Sequence, residues 1–173
     1  MHRKILLDID YTNFLSQEKP EGASCSTHQA VEQADIHQKN PGGFPKSFCL
    51  ENTTIHQRWW TKEDCDYDEL NNKLGIETIT VSTIIQPPGN CVPLHRDTFY
   101  KIKQEYPENK RVIVRCNIFM QDWKTGHFVQ YDDKVDTHWK QGDGHMWDDK
   151  VLHIGANAGM EDKYTLQVSG FLK

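Results

Sequence analysis

The chain has no Cys-x-x-Cys pair, no Lys/Arg-rich block and no apolar run long enough to cross a bilayer. Its five cysteines, Cys25, Cys49, Cys65, Cys91 and Cys116, are scattered and odd in number. That pattern argues against a disulfide scaffold or a structural zinc knot, and reads as reduced thiols in a cytosol-like compartment. Net charge is −5, with 20 Lys and Arg against 25 Asp and Glu and the signs interspersed. This is not the footprint of a nucleic-acid binder. The opening residues, Met1 to Asp8, lack the apolar core of a secretory signal. The expectation is a cytoplasmic protein with neither a membrane nor a nucleic-acid partner. No repeat of fixed period is present.

With 173 residues, the chain suits a single domain, residues 1–173. Residues 4–15 carry Ile5, Leu6, Leu7, Ile9, Tyr11 and Phe14, and periodicity leaves strand and short helix open. Residues 16–47 have almost no large apolar side chains. They cannot bury enough surface to offset ordering entropy, so loops, a lid or one helix near Thr27 to Ile36 are expected. Residues 62–74 read as a helix capped by Thr61, with Asp64 three residues on and Gly75 as the stop.

From residue 76 the character becomes β. Ile76 to Gln86 is rich in Ile, Thr and Val and ends at Pro87-Pro88-Gly89. Arg111 to Gln121 alternates, with Val112, Val114, Cys116, Ile118 and Met120 on one face and Arg111, Ile113, Arg115, Asn117 and Phe119 on the other. Phe128 to Tyr131 reads as a strand, Gly142-Asp143-Gly144 as a turn, and Lys163 to Leu172 as a final strand. Short punctuated strands predict a mainly β sandwich or barrel in residues 76–173, behind a helical and loop flank in residues 1–75.

His95 and Asp97 are two apart, so in extended backbone they point the same way. They can converge on one metal ion, and the third ligand must come from another strand. His153, between a Gly/Asp-rich turn and the last strand, is the best candidate. Two imidazoles and one carboxylate leave coordination positions open, which suits Fe(II) that must also take a co-substrate and dioxygen. In the last strand Lys163, Thr165, Gln167 and Ser169 share a face opposite Tyr164, Leu166 and Val168. Together with Arg115 and Asn117, that polar row fits a wet, ligand-holding barrel interior.

Five stretches carry a family resemblance across about half the chain, from Ile84 to Phe171. They are Gln86-Pro-Pro-Gly-Asn-Cys-Val-Pro-Leu-His-Arg-Asp, Thr125-Gly-His-Phe, Trp139-Lys-Gln-Gly-Asp-Gly, Leu152-His-Ile-Gly-Ala-Asn-Ala-Gly and Lys163-Tyr-Thr-Leu-Gln-Val-Ser-Gly. In this order they resemble the 2-oxoglutarate- and Fe(II)-dependent oxygenases, in particular compact bacterial and phage-encoded members with a prolyl-hydroxylase-like motif set. The resemblance implies a double-stranded β-helix (a jelly roll, cupin-like), with His95, Asp97 and His153 holding Fe(II). The basic residue that takes the distal carboxylate of 2-oxoglutarate falls at Lys163. Most relatives have Arg there, and the collagen-type prolyl hydroxylases have Lys.

Thr165 would join Lys163 on that carboxylate, while Arg115 or Asn117 would serve its other end or the substrate. The implied reaction consumes 2-oxoglutarate and O2 and hydroxylates an aliphatic C–H of a peptidyl residue or an amino-acid-like small molecule. Two rivals stand beside it: a cupin dioxygenase or isomerase without 2-oxoglutarate, and a non-catalytic jelly-roll binding module. Of the remaining candidates, His127 reads as a weaker lining residue, while His138 and His145 read as surface histidines. Trp123, Trp139 and Trp147 read as core or rim, Arg96 and Tyr100 as packing or substrate contacts, and Trp59-Trp60 as a cover for one barrel end. The acidic residues Asp132, Asp133, Asp136, Asp148 and Asp149 favour a neutral or basic substrate.

Overall fold

The structure, a computed structural model, describes residues 1–16 and 55–173. The expected helix at Thr27 to Ile36 and the loop or lid of residues 17–47 lie outside the described residues. Ten strands are described: β1 (His2–Leu6), β2 (His56–Trp60), β3 (Ile76–Gln86), β4 (Asn90–His95), β5 (Ile113–Phe119), β6 (His127–Tyr131), β7 (Lys134–Asp136), β8 (Asp143–Trp147), β9 (His153–Asn157) and β10 (Lys163–Leu172). Three short helices accompany them: α1 (Thr12–Leu15), α2 (Tyr67–Leu74) and α3 (Tyr100–Glu105).

The strands form two antiparallel sheets, a larger one in the order β1-β8-β5-β10-β3-β2 and a smaller one in the order β4-β9-β6-β7. Alternation decides what each face meets. On the outer face of the larger sheet, Val114, Cys116, Ile118, Leu166 and Val168 pack against Tyr11 and Phe14 of the α1 region and Tyr67, Leu70 and Leu74 of α2. Between the sheets, Phe119 and Trp147 meet Val129, Tyr131, Trp139 and Val151. Ile102 of α3, with Phe99 and Phe171, forms a third cluster.

The four strands expected from residue 76 onward are present as β3, β5, β6 and β10, whereas β4, β7, β8 and β9 were not expected. β3 and β10 keep their expected limits, while β5 is trimmed at both ends of residues 111–121. In the Gly142-Asp143-Gly144 turn, only Gly142 keeps the left-handed φ of +91°, and Asp143 and Gly144 already belong to β8. Residues 4–15 resolve into strand and then helix. The flank also contributes β1 and β2 as the two edge strands of the larger sheet.

Helix α2 starts later than expected. Its cap is Asp66, whose carboxylate accepts from the backbone N–H of Asp68 and Glu69, each at 2.9 Å. Thr61 and Asp64 close the preceding turn on each other instead. Gly75 ends the helix at φ +68°, as expected of a left-handed cap.

The long β10 changes register between Ser169 and Gly170. A Cβ on Gly170 would land on the Glu77 backbone carbonyl. Gly170→Ala is therefore expected to cost about 1–3 kcal/mol. Its urea midpoint should fall with the slope unchanged. Among the described residues no helix is long and apolar enough to cross a membrane.

Candidate metal centre

His95 and His153 are register partners at the start of the β4–β9 pairing, and Tyr131 of β6 is the partner of His153 on its other side. One rung of the smaller sheet therefore sets two imidazoles and a phenol side by side. The two histidine rings lie 4.2 Å apart, centroid to centroid. Asp97, two residues past His95 and beyond the end of β4, closes the group. Its Oδ1 is 4.0 Å from His95 Nε2, and its Oδ2 is 3.6 Å from His153 Nε2. All three side chains are buried, with one ligand atom from each within 4.8 Å of the others.

Both imidazoles are oriented from behind. His95 Nδ1 pairs with the Pro93 carbonyl at 2.7 Å, and His153 Nδ1 with the Val151 carbonyl at 3.2 Å. A carbonyl accepts only, so each Nδ1 carries a proton and each Nε2 is the ring atom that faces Asp97. Burial lowers the pKa of His153 despite the neighbouring Asp97 carboxylate, which keeps the ring in the neutral form that a ligand needs.

Asp97 is held from the opposite sheet. Arg115 of β5 and Trp147 of β8 are cross-strand partners. The Arg115 guanidinium donates to Asp97 Oδ1, and Trp147 Nε1 donates to Oδ2 at 2.8 Å. Burial pushes the Asp97 carboxyl up, but Arg115, His153, His95 and the Trp147 N–H outweigh it and hold it at about 2. The residue is thus an anion with both oxygens aimed. Trp147→Phe keeps the ring and removes the donor, so metal affinity is expected to fall about 10–100-fold in a chelator competition.

The triad opens into a cavity of about 240 Å³ that runs between the sheets. Lys163 and Thr165 of β10 line it, with Arg115, Asn117 and Phe119 of β5 and Val129 and Tyr131 of β6. Lys163 is fully enclosed. Its Nζ reaches Gln86 Oε1 at 3.3 Å and the Phe128 carbonyl at 3.4 Å, both long for an ammonium. No carboxylate pairs with it among the described residues, and burial pushes its pKa down to about 7. Asn117 accepts from Gln167 Nε2 at 3.2 Å on the same wall. Tyr131 is wholly buried, and burial together with Asp97 raises its pKa well above the ordinary range, so it stays a phenol.

The other candidates separate cleanly. His127 is buried, but its Nε2 pairs with the Glu161 carbonyl at 2.9 Å and it does not line the cavity. His138 is exposed and stacks on Trp123. His145 departs from the surface reading, because it is buried against Tyr131 and bonded to His2 at 2.9 Å and Asp136 at 2.8 Å. Arg96 points away from the cavity to the Lys150 carbonyl. Tyr100 and Trp59 stand exposed on the cavity lining, whereas Trp60 is buried in the outer core, so the tryptophan pair does not act as one cover. Trp147 and Tyr131 carry no motif of their own. The signal that finds them is strand register, which sets Trp147 beside Arg115 and Tyr131 beside His153.

No protein-family model matches the chain, and no curated protein matches it. Among solved structures, a prolyl-4-hydroxylase from Pseudomonas putida superimposes with a TM-score of 0.55 at 16% identity, covering 99% of this chain and 92% of that one. The chain is a double-stranded β-helix. At that identity the likeness is one of fold alone. A predicted oxalate decarboxylase from Thermotoga maritima gives a TM-score of 0.44 at 17% identity, over 68% of this chain and 81% of that one. A cupin domain of a transcriptional regulator from Enterobacter cloacae gives 0.43 at 11% identity, over 69% and 98%.

Two imidazole nitrogens and one carboxylate oxygen, buried and mutually oriented, form a donor set that fits a divalent transition ion. Among the described residues no further His, Cys, Asp or Glu joins the triad. Exchangeable positions would therefore face the cavity.

Proposed function

We propose that this protein is a 2-oxoglutarate- and Fe(II)-dependent dioxygenase that hydroxylates an aliphatic C–H bond of a peptidyl residue or an amino-acid-like small molecule. The observation that carries this reading is Lys163. It is a buried amine with no carboxylate partner among the described residues, in the same cavity as a His-Asp-His donor set. A dicarboxylate that chelates a metal at one end and needs a cation at the other fits that pair of features. A cupin isomerase or a plain binding module would leave an enclosed, under-bonded ammonium without a purpose, and such a group is costly to keep.

In this reading His95, Asp97 and His153 hold the metal. Fe(II) bound there would supply dioxygen activation coupled to the oxidative decarboxylation of 2-oxoglutarate to succinate and CO2. Every other contribution belongs to the chain. Lys163 takes the distal carboxylate, and Thr165, on the same face of β10, donates its hydroxyl to it. Asn117 and Arg115 bound the other side of the cavity. Tyr131, unable to ionise near neutral pH, offers an O–H donor beside Asp97. Phe119 and Val129 exclude water from the space between the sheets, where electrostatic contacts gain strength.

A peptidyl substrate stays among the options, and the chain shares its fold with a prolyl-4-hydroxylase. The free thiols Cys65, Cys91 and Cys116 suit a reducing, cytoplasmic setting for ferrous iron, and residues 1–173 would make one oxygenase domain. The test is incubation of the Fe(II)-loaded protein with 2-oxoglutarate, O2 and peptide or metabolite extracts. Substrate-stimulated succinate and a product heavier by one oxygen atom are expected. Absence of 2-oxoglutarate consumption under every condition would sink the reading.

A further inference from the structure

The cavity carries more positive charge than the proposed co-substrate can use. Among the described residues its charged lining consists of Asp97, Lys101, Arg115 and Lys163, three basic side chains to one carboxylate, within a protein of net charge −5. Asp97 is the counter-ion of Arg115. A bound divalent ion and a bound 2-oxoglutarate dianion cancel each other. The described lining therefore stays two positive charges in excess, with Lys101 exposed at the rim.

Arg115 is also incompletely used. Its Nε donates to Ser169 Oγ at 3.2 Å and its NH1 to Asp97, while its Cζ lies 5.2 Å from the Phe99 ring centroid. The second terminal nitrogen makes no hydrogen bond among the described residues. Phe99, at a left-handed φ of +50°, turns the chain from the metal-binding loop into α3. Its buried ring lies beside the guanidinium, and Ser169 and Asp97 fix the orientation of the fork. A preorganised arginine with an idle donor is suited to a planar carboxylate.

Building on the dioxygenase reading, we infer that the primary substrate is itself an anion, and that its carboxylate sits against the idle arm of Arg115, with Lys101 steering it in from the rim. The carboxylate would lie close to the reacting carbon, because Arg115 touches the metal-binding Asp97. This reverses the expectation of a neutral or basic substrate drawn from the surface acids. Those acids are not among the residues that line the cavity, whose described charged side chains are mostly basic.

The test uses Mn(II) as a redox-stable ion. The Mn(II)-loaded, 2-oxoglutarate-saturated protein is titrated with a panel of N-acetyl amino acids and the matching N-acetyl amino-acid amides, and binding is read by calorimetry and thermal shift. At least one acid is expected to bind about tenfold or more tightly than its amide, the discrimination of a charge-assisted pair. That preference should vanish in Arg115→Gln and weaken in Lys101→Ala, whose exposed position leaves folding undisturbed. Amides binding as well as acids, or neither binding, overturns the inference even if Arg115→Gln fails to fold. Survival of the preference in Arg115→Gln also overturns it. So does a loss of 2-oxoglutarate affinity in that variant matching its loss of acid preference, since Arg115 would then belong to the co-substrate. Failure of the Mn(II)-loaded wild type to bind 2-oxoglutarate at all is a separate result, and it removes the dioxygenase reading instead.

Discussion

Asp97→Ala is expected to lower Fe(II) affinity by more than about 100-fold, the upper range for loss of a residue that merely supports a ligand. Two effects act in the same direction. The substitution removes the one anionic donor from the His-Asp-His set. It also strips Arg115 of its counter-ion, which leaves a guanidinium facing a dication across a buried gap. Chelator competition under anaerobic conditions measures the loss. The apo protein should remain folded, because Tyr131, Trp147 and Phe119 still pack the space between the sheets. A folded Asp97→Ala protein that binds Fe(II) like the wild type would remove Asp97 from the site.

Lys163→Met should move affinity and stability in opposite directions. Truncating one partner of a buried charge pair costs about 2–5 kcal/mol, so the dissociation constant for 2-oxoglutarate should rise by roughly 30-fold or more. Without ligand the variant should be the more stable protein. The folded-state pKa of Lys163 is about 7, against an unfolded value near 10.5. Below pH 7 the amine is charged in both states and the burial penalty is fully present. As pH rises from 7 toward 10.5, the folded state sheds its proton first, so wild-type stability recovers. The advantage of Met over Lys should therefore be largest below pH 7 and shrink above it in denaturant titrations. A variant equally destabilised at every pH would indicate a packing role for the aliphatic stem instead.

The same lysine makes co-substrate binding proton-linked. At pH 8 the empty cavity holds a mostly neutral amine, and a bound carboxylate restores its charge. Calorimetry in buffers of different ionisation enthalpy should report uptake approaching one proton at pH 8 and almost none at pH 6. Lys163→Met should lose the linkage. Proton release, or uptake unchanged in that variant, would detach the cation from the ligand.

The residues legible in sequence were those whose spacing obeys a local period. His95 and Asp97 were legible from their two-residue spacing, although only His95 lies in the strand and Asp97 follows just past its end. Lys163 and Thr165 declared their common face in the same way, and Gly75 announced the end of α2. Arg115 and Asn117 were visible as one row of β5, though not which ligand each would meet. What stayed hidden depends on pairing between strands distant in sequence. Trp147 read as core, and it is core, but its partnership with Arg115 across β5 and β8 also turns its N–H onto Asp97. Tyr131 enters the site only through the register of β6 on β9. His145 looked solvated because a histidine between a turn and a strand usually is. Its burial comes from His2 and Asp136, brought up by β1 and β7 from opposite sides. The start of α2 was misplaced because Thr61 and Asp66 both precede the helix with capping side chains, and only the geometry of the turn between them selects one.

The most direct test of the central claim is an anaerobic titration of the Fe(II)-loaded protein with 2-oxoglutarate, followed in the visible. Chelation at an iron held by His95, Asp97 and His153 predicts a weak charge-transfer band that grows to saturation in the wild type and does not form in Asp97→Ala. No band in the wild type, or a band of equal strength in Asp97→Ala, would contradict the account.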